Sequence, residues 1–521
     1  IGTGDLERAR EELDRATQRW GALPALDQLR LINEASDDAS LEEALAAALE
    51  SDPSNIQFRT LAWSRGMTPF FEPFHVDLDD IRDVEFTAGE GVDVMLLLDQ
   101  AVERVYSDGS ALYYYHGVSR AVTPVGARQA STLQQMPDAF LLKIRIIKPD
   151  GRVVVPAQME VRNGGLVLGD VAPGDLVEEE YVASVRPTGA SRRGHMSPYV
   201  YRFADENRAF GRSEYLLLVP DDVDLKMDGN FEGLQQEEWD HDGLRAIRWL
   251  NEDVPPLRLE PLSPMTQDLL PWVSYSFGVT WQDVGDIMRD RMLWVFQTSP
   301  ELRRWSEPIL AEPDDEAAVR GLVESVLSEV GAGRRALDLS NTAGQSFSRR
   351  EGNRLGILAA ALIADGWNVD LVMGRPAPLA GEHLEVPTLE TFGEPLLRVQ
   401  RDSDEIWIDL EERLAGVNHI QPIYQGGDGL MLPLSDPNSP VTYLSELPSF
   451  PNPAFRQRIS LAASIDSGGE ALLEFVMPLE GSDGERLVAQ IESAPADRVE
   501  QLFVQMANNL FPGAADVTGF V

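Results

Sequence analysis

The sequence predicts a multidomain α+β protein, and three observations predict it. Residues 1–66 carry a helical period, residues 77–261 carry a period of two broken by turn signals, and residues 262–425 alternate helix and strand patterns. Apolar positions three and four apart mark a helix face, and strict alternation marks a half-buried strand. A chain of 521 residues has room for about three or four domains of roughly 100–200 residues each.

In the first segment Leu6, Ala9, Leu13 and Ala16 share one helical face, which Trp20-Gly21 closes. Further helices are expected at 24–35, 41–49 and 56–65. The pattern Ala44-x-x-x-Ala48-Leu49-x-x-Asp52-Pro53-x-Asn55 resembles the hinge of a tetratricopeptide repeat, in which Pro opens the next helix. A single repeat cannot bury its own face. The resemblance therefore implies further repeats before Ile1, with a plain helical cap as the alternative.

Met67-Thr-Pro-Phe-Phe-Glu-Pro-Phe74 reads as a linker. Beyond it, strands are expected at 92–98, 111–118, 141–147, 166–168, 176–182, 213–219 and 246–250. The turns Ser107-Asp-Gly109, Pro149-Asp-Gly151 and Asn163-Gly-Gly165 separate them. Many short strands at this spacing predict an antiparallel β-sandwich over 67–261. Residues 262–425 offer helices at 281–294 and 314–330, then strands at 396–401 and 405–409. Residues 426–521 open with a Pro/Gly/Asp-rich passage and read as a C-terminal β domain: strands at 457–465, 471–478, 486–492 and 515–521, with one helix at 495–510. Ending within a strand, it reads as truncated.

Charge narrows the function. The chain holds 86 acidic and 44 basic residues, for a net charge of −42. Nucleic acid and anionic lipid demand clustered Lys or Arg, so both are excluded as partners. Lys143, Lys148 and Lys226 are the only lysines. An acidic, lysine-poor surface suits raised ionic strength, and genomic base composition explains the arginine bias equally well. No apolar run approaches the roughly 18 residues of a membrane span. The opening at Ile1 is charged and helical, which reads as a mature product or an excised piece whose targeting segment is gone. The absence of cysteine removes disulfides, thiolate metal sites and iron–sulfur clusters together.

The most telling stretch is Ser346-Phe-Ser-Arg-Arg-Glu-Gly-Asn-Arg-Leu-Gly-Ile-Leu-Ala-Ala-Ala-Leu-Ile-Ala-Asp-Gly366. It is a polar loop entering an apolar helix that Gly366 closes, and a strand at 367–374 follows. This unit resembles the core of the transglutaminase-like superfamily, a papain-type fold whose helix begins with a nucleophilic cysteine. Upstream, three segments resemble the β-domain of unknown function that precedes such domains in bacterial envelope proteins. They are Tyr113-Tyr-Tyr-His-Gly-Val118, the hairpin Ile144-Arg-Ile-Ile-Lys-Pro-Asp-Gly151, and Leu168-Gly-Asp-Val-Ala-Pro-Gly-Asp-Leu-Val-Glu-Glu-Glu-Tyr181. Glu260-Pro261, Pro271, Val273, Ser276 and Trp281 match that domain's exit segment.

A thiol mechanism needs a cysteine at a helix N-terminus, an imidazole on a neighbouring strand and a carboxylate to orient it. Counting back from Gly366 along the resemblance puts Glu351 at the cysteine position, with Asn353 the other candidate. Glu394 of Phe392-Gly-Glu-Pro395 stands in the histidine position. Asp409 of Trp407-Ile-Asp409 keeps the carboxylate. The resemblance thus implies a degenerate triad and no catalytic residue. It also implies an exported, periplasmic or envelope-associated module that binds a protein or peptide, without cofactor or metal. The rival is an enzyme using Glu351, Glu394 and Asp409 as an acid/base set or a cation site.

Other motifs offer less. His75, His116, His195, His241, His383 and His419 show no metal-ligand spacing; His383 and His419 fall nearest the cleft and read as surface loop positions. Ser346 and Ser348 lack a positioned base. Asp221-Asp-Val-Asp-Leu-Lys-Met-Asp-Gly229 imitates a calcium loop, but Lys226 takes a ligand position and Gln235 stands where the closing Glu belongs, leaving a strand-connecting turn. Gly426-Gly-Asp-Gly429 lacks the strand and helix of a phosphate loop and reads as a turn.

Overall fold

The computed structural model describes residues 38–87, 91–133, 139–156, 159–162, 165–187, 194–258, 265–331, 337–401, 405–410, 420–436, 438–450, 460–466 and 471–476, with a few further positions outside these runs. The helices expected within 1–35, the strands expected at 486–492 and 515–521, the helix expected at 495–510 and His419 lie wholly or largely outside them. The chain is a multidomain α+β protein. It forms two compact units, Ile1–Asp283 with His383–Glu390, and Val284–Glu382 with Thr391–Val521.

Among the described residues the first unit opens with α1 (Asp38–Ser51) and α2 (Ile56–Ser64), which bury Leu45, Ala48 and Leu49 against Phe58 and Ala62. Pro53 does not open α2 as the hinge pattern suggests. Asn55 caps it, its side chain accepting the Phe58 N–H at 3.1 Å. An Asn side chain satisfies an orphan helical N–H, which Pro cannot do.

Eight strands follow in one large sheet: β1 (Val94–Val105), β2 (Ala111–Ala121), β3 (Phe140–Ile147), β4 (Val153–Val154), β5 (Leu176–Val185), then β8 (Ala209–Pro220), β10 (Gln235–His241) and β11 (Leu244–Val254). Their order is β10-β11-β8-β1-β2-β5-β3-β4. Against the antiparallel expectation, β1 and β8 run parallel, with Met95 opposite Ala209. A long crossover connects them, and only such a connection permits parallel neighbours. A second, four-stranded sheet takes β6 (His195–Met196), β7 (Tyr201–Arg202), β9 (Lys226–Asn230) and the central β12 (Trp272–Phe277). Half of the supposed 221–229 turn is therefore strand: Lys226 to Asn230 pair with Ser276 to Trp272. β12, beyond 261, likewise belongs to this sheet.

Alternation along each strand splits the large sheet into two buried faces. One packs Tyr113, Tyr215 and Trp249 against Val273, Tyr275 and Phe277 of β12. The other packs Leu112, Tyr114, Val182 and Leu216 beneath Ile56 and Phe71. The Phe-rich linker is thus core, not spacer: the Phe71 ring stacks on Tyr114 at 3.9 Å with 3° between planes.

In the second unit α3 (Pro300–Leu310), α4 (Asp315–Glu329), α5 (Ala343–Arg349) and α6 (Arg354–Ala364) accompany a five-stranded sheet. Its strands are β13 (Asn368–Gly374), β14 (Glu394–Gln400), β15 (Ile406–Ile408), β16 (Gly429–Pro433) and β17 (Thr442–Leu444), ordered β15-β14-β13-β16-β17. The sheet thus continues past 425, where the sequence reading closes the domain, because the apolar Leu430-Met-Leu432 hides inside a turn-rich passage. No sequence expectation covers α3. Pro300 occupies its first turn, where a missing N–H costs nothing, and Ser299 caps Leu302 at 3.2 Å. Helix α6 is buried from Leu355 to Leu362, which explains why its sequence is apolar on every face. Beyond 450 the described strands Ser460–Ile465 and Ala471–Val476 pair as a hairpin.

Candidate functional site: the mouth of helix α6

Helix α6 starts beside the two residues the sequence singles out, Glu351 and Asn353, and its local chemistry can be built residue by residue. Helix α5 ends at Arg350, whose φ of 56° turns the chain through the left-handed region. Gly352 repeats that at φ 82°, a conformation that glycine adopts without penalty. Between them the Glu351 backbone bridges Gly331, with Gly331 N–H donating to the Arg350 carbonyl at 2.8 Å and Gly352 N–H to the Gly331 carbonyl at 3.0 Å. Asn353 is the N-cap.

Asn353 is fully buried, at 0% exposure. Its Oδ1 accepts the Gly356 N–H at 3.1 Å and the Asp338 N–H at 3.3 Å, while Nδ2 donates to the Asn341 carbonyl at 3.3 Å. A Cβ on Gly356 would sit 2.2 Å from Asn353 Nδ2, so glycine at the third helical position is what lets the cap fold over. Positive helix-end potential and orphan N–H groups, the features that would activate a thiol here, are spent on a neutral amide.

Around this mouth every described arginine is engaged. Arg354 donates through Nε to the Val330 carbonyl at 2.8 Å and through Nη2 to Leu327 at 3.4 Å, closing the C-terminal carbonyls of α4. Arg350 pairs with Glu329 at 3.1 Å and lies over Phe347, 3.9 Å from the ring centroid. Arg349 donates to Asn341 Oδ1 at 2.8 Å. Ser346 is buried, and its Oγ has no hydrogen-bond partner among the described residues.

The three carboxylates of the sequence reading part company. Glu351 is exposed, and its side chain makes no ion pair or hydrogen bond among the described residues. Glu394, half-buried at the start of β14, accepts from Gln421 Nε2 at 3.4 Å. Asp409, buried just past β15, accepts the Gln421 N–H at 3.0 Å. Gln421 therefore joins Glu394 to Asp409, a link the sequence reading missed because twelve residues and a loop separate Gln421 from Asp409. Nearby on the same sheet, Arg375 and Asp428 form a buried two-pronged ion pair, with Nε to Oδ1 at 2.7 Å and Nη2 to Oδ2 at 2.5 Å. Gly381 N–H and the Tyr443 hydroxyl also donate to Asp428 Oδ2. Burial pushes the Asp428 carboxyl up, but these donors outweigh it and hold the group below its ordinary value.

The described imidazoles are elsewhere. All histidines among the described residues belong to the first unit, and His383 is tied there by Asp228 at 2.8 Å and by an edge-on Trp272. Among the described residues, the one His/Glu set close enough to share a metal ion is His75, His116 and Glu180, also in the first unit. A readable signal was present: Glu178 and Glu180 break an apolar strand on one face, and His116 extends a tyrosine run.

No family model matches the chain, and no curated protein matches it. Among solved structures, the chain is similar to a putative protease from Parabacteroides distasonis at 14% identity and a TM-score of 0.49, over 68% of this chain and 72% of that one. It also matches a putative cysteine protease from Cytophaga hutchinsonii at 10% identity and a TM-score of 0.20, covering 54% and 86%. An M1 zinc metallopeptidase from Deinococcus radiodurans matches at 11% identity and a TM-score of 0.19, and this chain spans less than half of it, 42%. The chemistry of the site accordingly rests on its own residues.

Proposed function

We propose that the second unit is a transglutaminase-like, papain-type domain without catalytic chemistry, and that it serves as a binding module for a protein or peptide. In this reading the first unit is its companion β-domain with a repeat-like helical front, and the protein works in the bacterial envelope after export. The single observation that carries the non-catalytic part is Asn353: the residue at the helix mouth is buried, amide-bearing and hydrogen-bonded on both sides. No thiol exists to attack, and the exposed Glu351 stands apart from the Gln421-linked pair.

Support for binding comes from a groove of about 510 Å³ on the sheet, walled by Trp407, Met431, Leu444 and Leu447, with Arg398 and Glu405 at its polar edge. Apolar walls with a few oriented charges suit an extended peptide. The Glu405 carboxylate, together with Asp370, keeps Arg398 firmly charged.

The test pairs two assays. Amide, ester and glycoside panels should show no turnover above blank, with Glu394→Gln and Asp409→Asn indistinguishable from the parent. A peptide selected from a random library should bind the parent and lose about 10-fold or more in affinity to Trp407→Ala, a loss typical of an aromatic anchor. Turnover that vanishes in Glu394→Gln would overturn the reading in favour of carboxylate catalysis.

A further inference from the structure

The large sheet of the first unit carries a cluster of imidazoles and carboxylates remote in sequence from the α6 mouth. Register sets it up: His116 on β2 lies opposite Glu180 on β5, and Lys143 and Arg145 on β3 lie opposite Glu180 and Glu178. Alternation puts all of these side chains on the face that the 67–75 segment covers. His75, at the end of that segment, stacks its ring on His116 at 5.0 Å with 12° between planes.

We propose that His75, His116 and Glu180 form a binding site for a divalent transition-metal ion of the zinc class. The distances carry it. His75 Nε2 and His116 Nε2 lie 3.4 Å and 3.7 Å from Glu180 Oε1, and one ligand atom from each of the three residues falls within 4.8 Å of the others. Ligands about 2.1 Å from a tetrahedral ion stand about 3.4 Å apart, so two edges of the polyhedron are nearly formed and the third closes by a small ring movement. Two imidazoles and a carboxylate are a donor set such an ion takes, with a fourth position left for water. Glu178 Oε1 lies 3.2 Å from His116 Nε2 and adds negative charge beside it. His116 Nε2 faces the Glu178 and Glu180 carboxylates and so carries the proton it donates to Glu178 at 3.2 Å. The ion would displace that proton, and Nδ1, buried without a hydrogen bond, can hold it in the other tautomer.

A cation already occupies this position in another form. The Lys143 ammonium contacts Glu180 Oε1 and lies 3.6 Å from Glu178 Oε1, yet its side chain is 36% exposed and can swing into solvent. The His75 side chain is 20% exposed, so the cluster opens to water beside these two residues. Metal binding is therefore an exchange of a mobile ammonium for a fixed ion. Its structural consequence is a clip: the metal would tie the 67–75 segment to β2 and β5.

The experiment uses the untagged full chain, stripped with chelator and titrated with zinc chloride, and separately with nickel chloride, by calorimetry at pH 7.5. One saturable site per chain is expected, with a rise in thermal midpoint. His75→Ala should weaken binding by about 10-fold or more, as loss of one donor does. Lys143→Ala should tighten it, because the competing ammonium is gone. The two variants move in opposite directions, and neither residue lies in the buried core, so the result does not depend on Glu180→Gln folding. Binding left unchanged by both substitutions would mean only scattered surface carboxylates and would overturn the proposal, as would no saturable binding of either ion.

Discussion

The α6 mouth and the His75–His116 cluster are both buried concentrations of polar groups, yet they are satisfied by different kinds of partner. At the mouth, Asn353 spends its amide on backbone groups of Gly356, Asp338 and Asn341, and Arg354 spends its guanidinium on backbone carbonyls of α4. Backbone partners cannot leave, so this site is locked. In the cluster, Glu178 and Glu180 are satisfied by imidazoles and by the half-exposed Lys143 and Arg145, which can exchange for other cations. A buried polar site held by backbone groups has no partner to release, whereas one held by part-exposed side chains keeps a removable counter-ion.

The hardest test of this contrast is at Asp428, whose main partner is a side chain but one too deeply buried to exchange. Asp428→Ala strands a buried guanidinium, so urea unfolding should show a loss of about 3–5 kcal/mol; a loss below about 1 kcal/mol would mean that Arg375 finds water. Next in size, Asn353→Ala removes a helix cap and two further hydrogen bonds and should cost about 2 kcal/mol, with Asn353→Asp recovering part of it.

The exchangeable cluster should show itself through pH. Burial raises the Glu178 and Glu180 carboxyls, but the imidazoles, Lys143 and Arg145 outweigh it and hold both at about 2, below the ordinary 4.5. Their stabilisation is full above pH 4.5 and is lost as pH falls toward 2. The hydrogen bond to Glu180 raises His75 above 6.5, so its contribution is full below that value and fades as pH rises through the raised one. Stability from the cluster should therefore peak between about pH 4.5 and 6.5. His75→Gln should remove the alkaline fall and leave the acid one, read as thermal midpoint against pH. Smallest of all, Glu351→Gln should change stability by less than about 0.5 kcal/mol, since an exposed, unpaired carboxylate has little to lose.

Much of the second unit was legible locally. Trp281–Met292 and Asp315–Glu329 are helical within a residue or two of expectation, and β13 follows Gly366 as the pattern requires. Helix α3 escaped because its two prolines mask an amphipathic face, and β9 escaped because its polar, Gly-containing sequence looks like a turn. At the candidate site the sequence offers both Glu351 and Asn353; that Asn353 is the buried helix cap while Glu351 is exposed follows from a cap geometry that Gly356 makes possible.

The sequence by itself determined what these 521 residues lack: a cysteine thiol, an excess of basic side chains and an apolar run long enough to cross a membrane. It also determined the periods of its helices and strands, because these depend on neighbours only a few positions away. Tertiary structure alone decided that Gln421 joins Glu394 to Asp409, that Phe71 lies in the core, and that His75 meets His116 over Glu180. Those contacts span up to 105 positions and are set by strand register and chain crossover, which no local pattern of residues encodes.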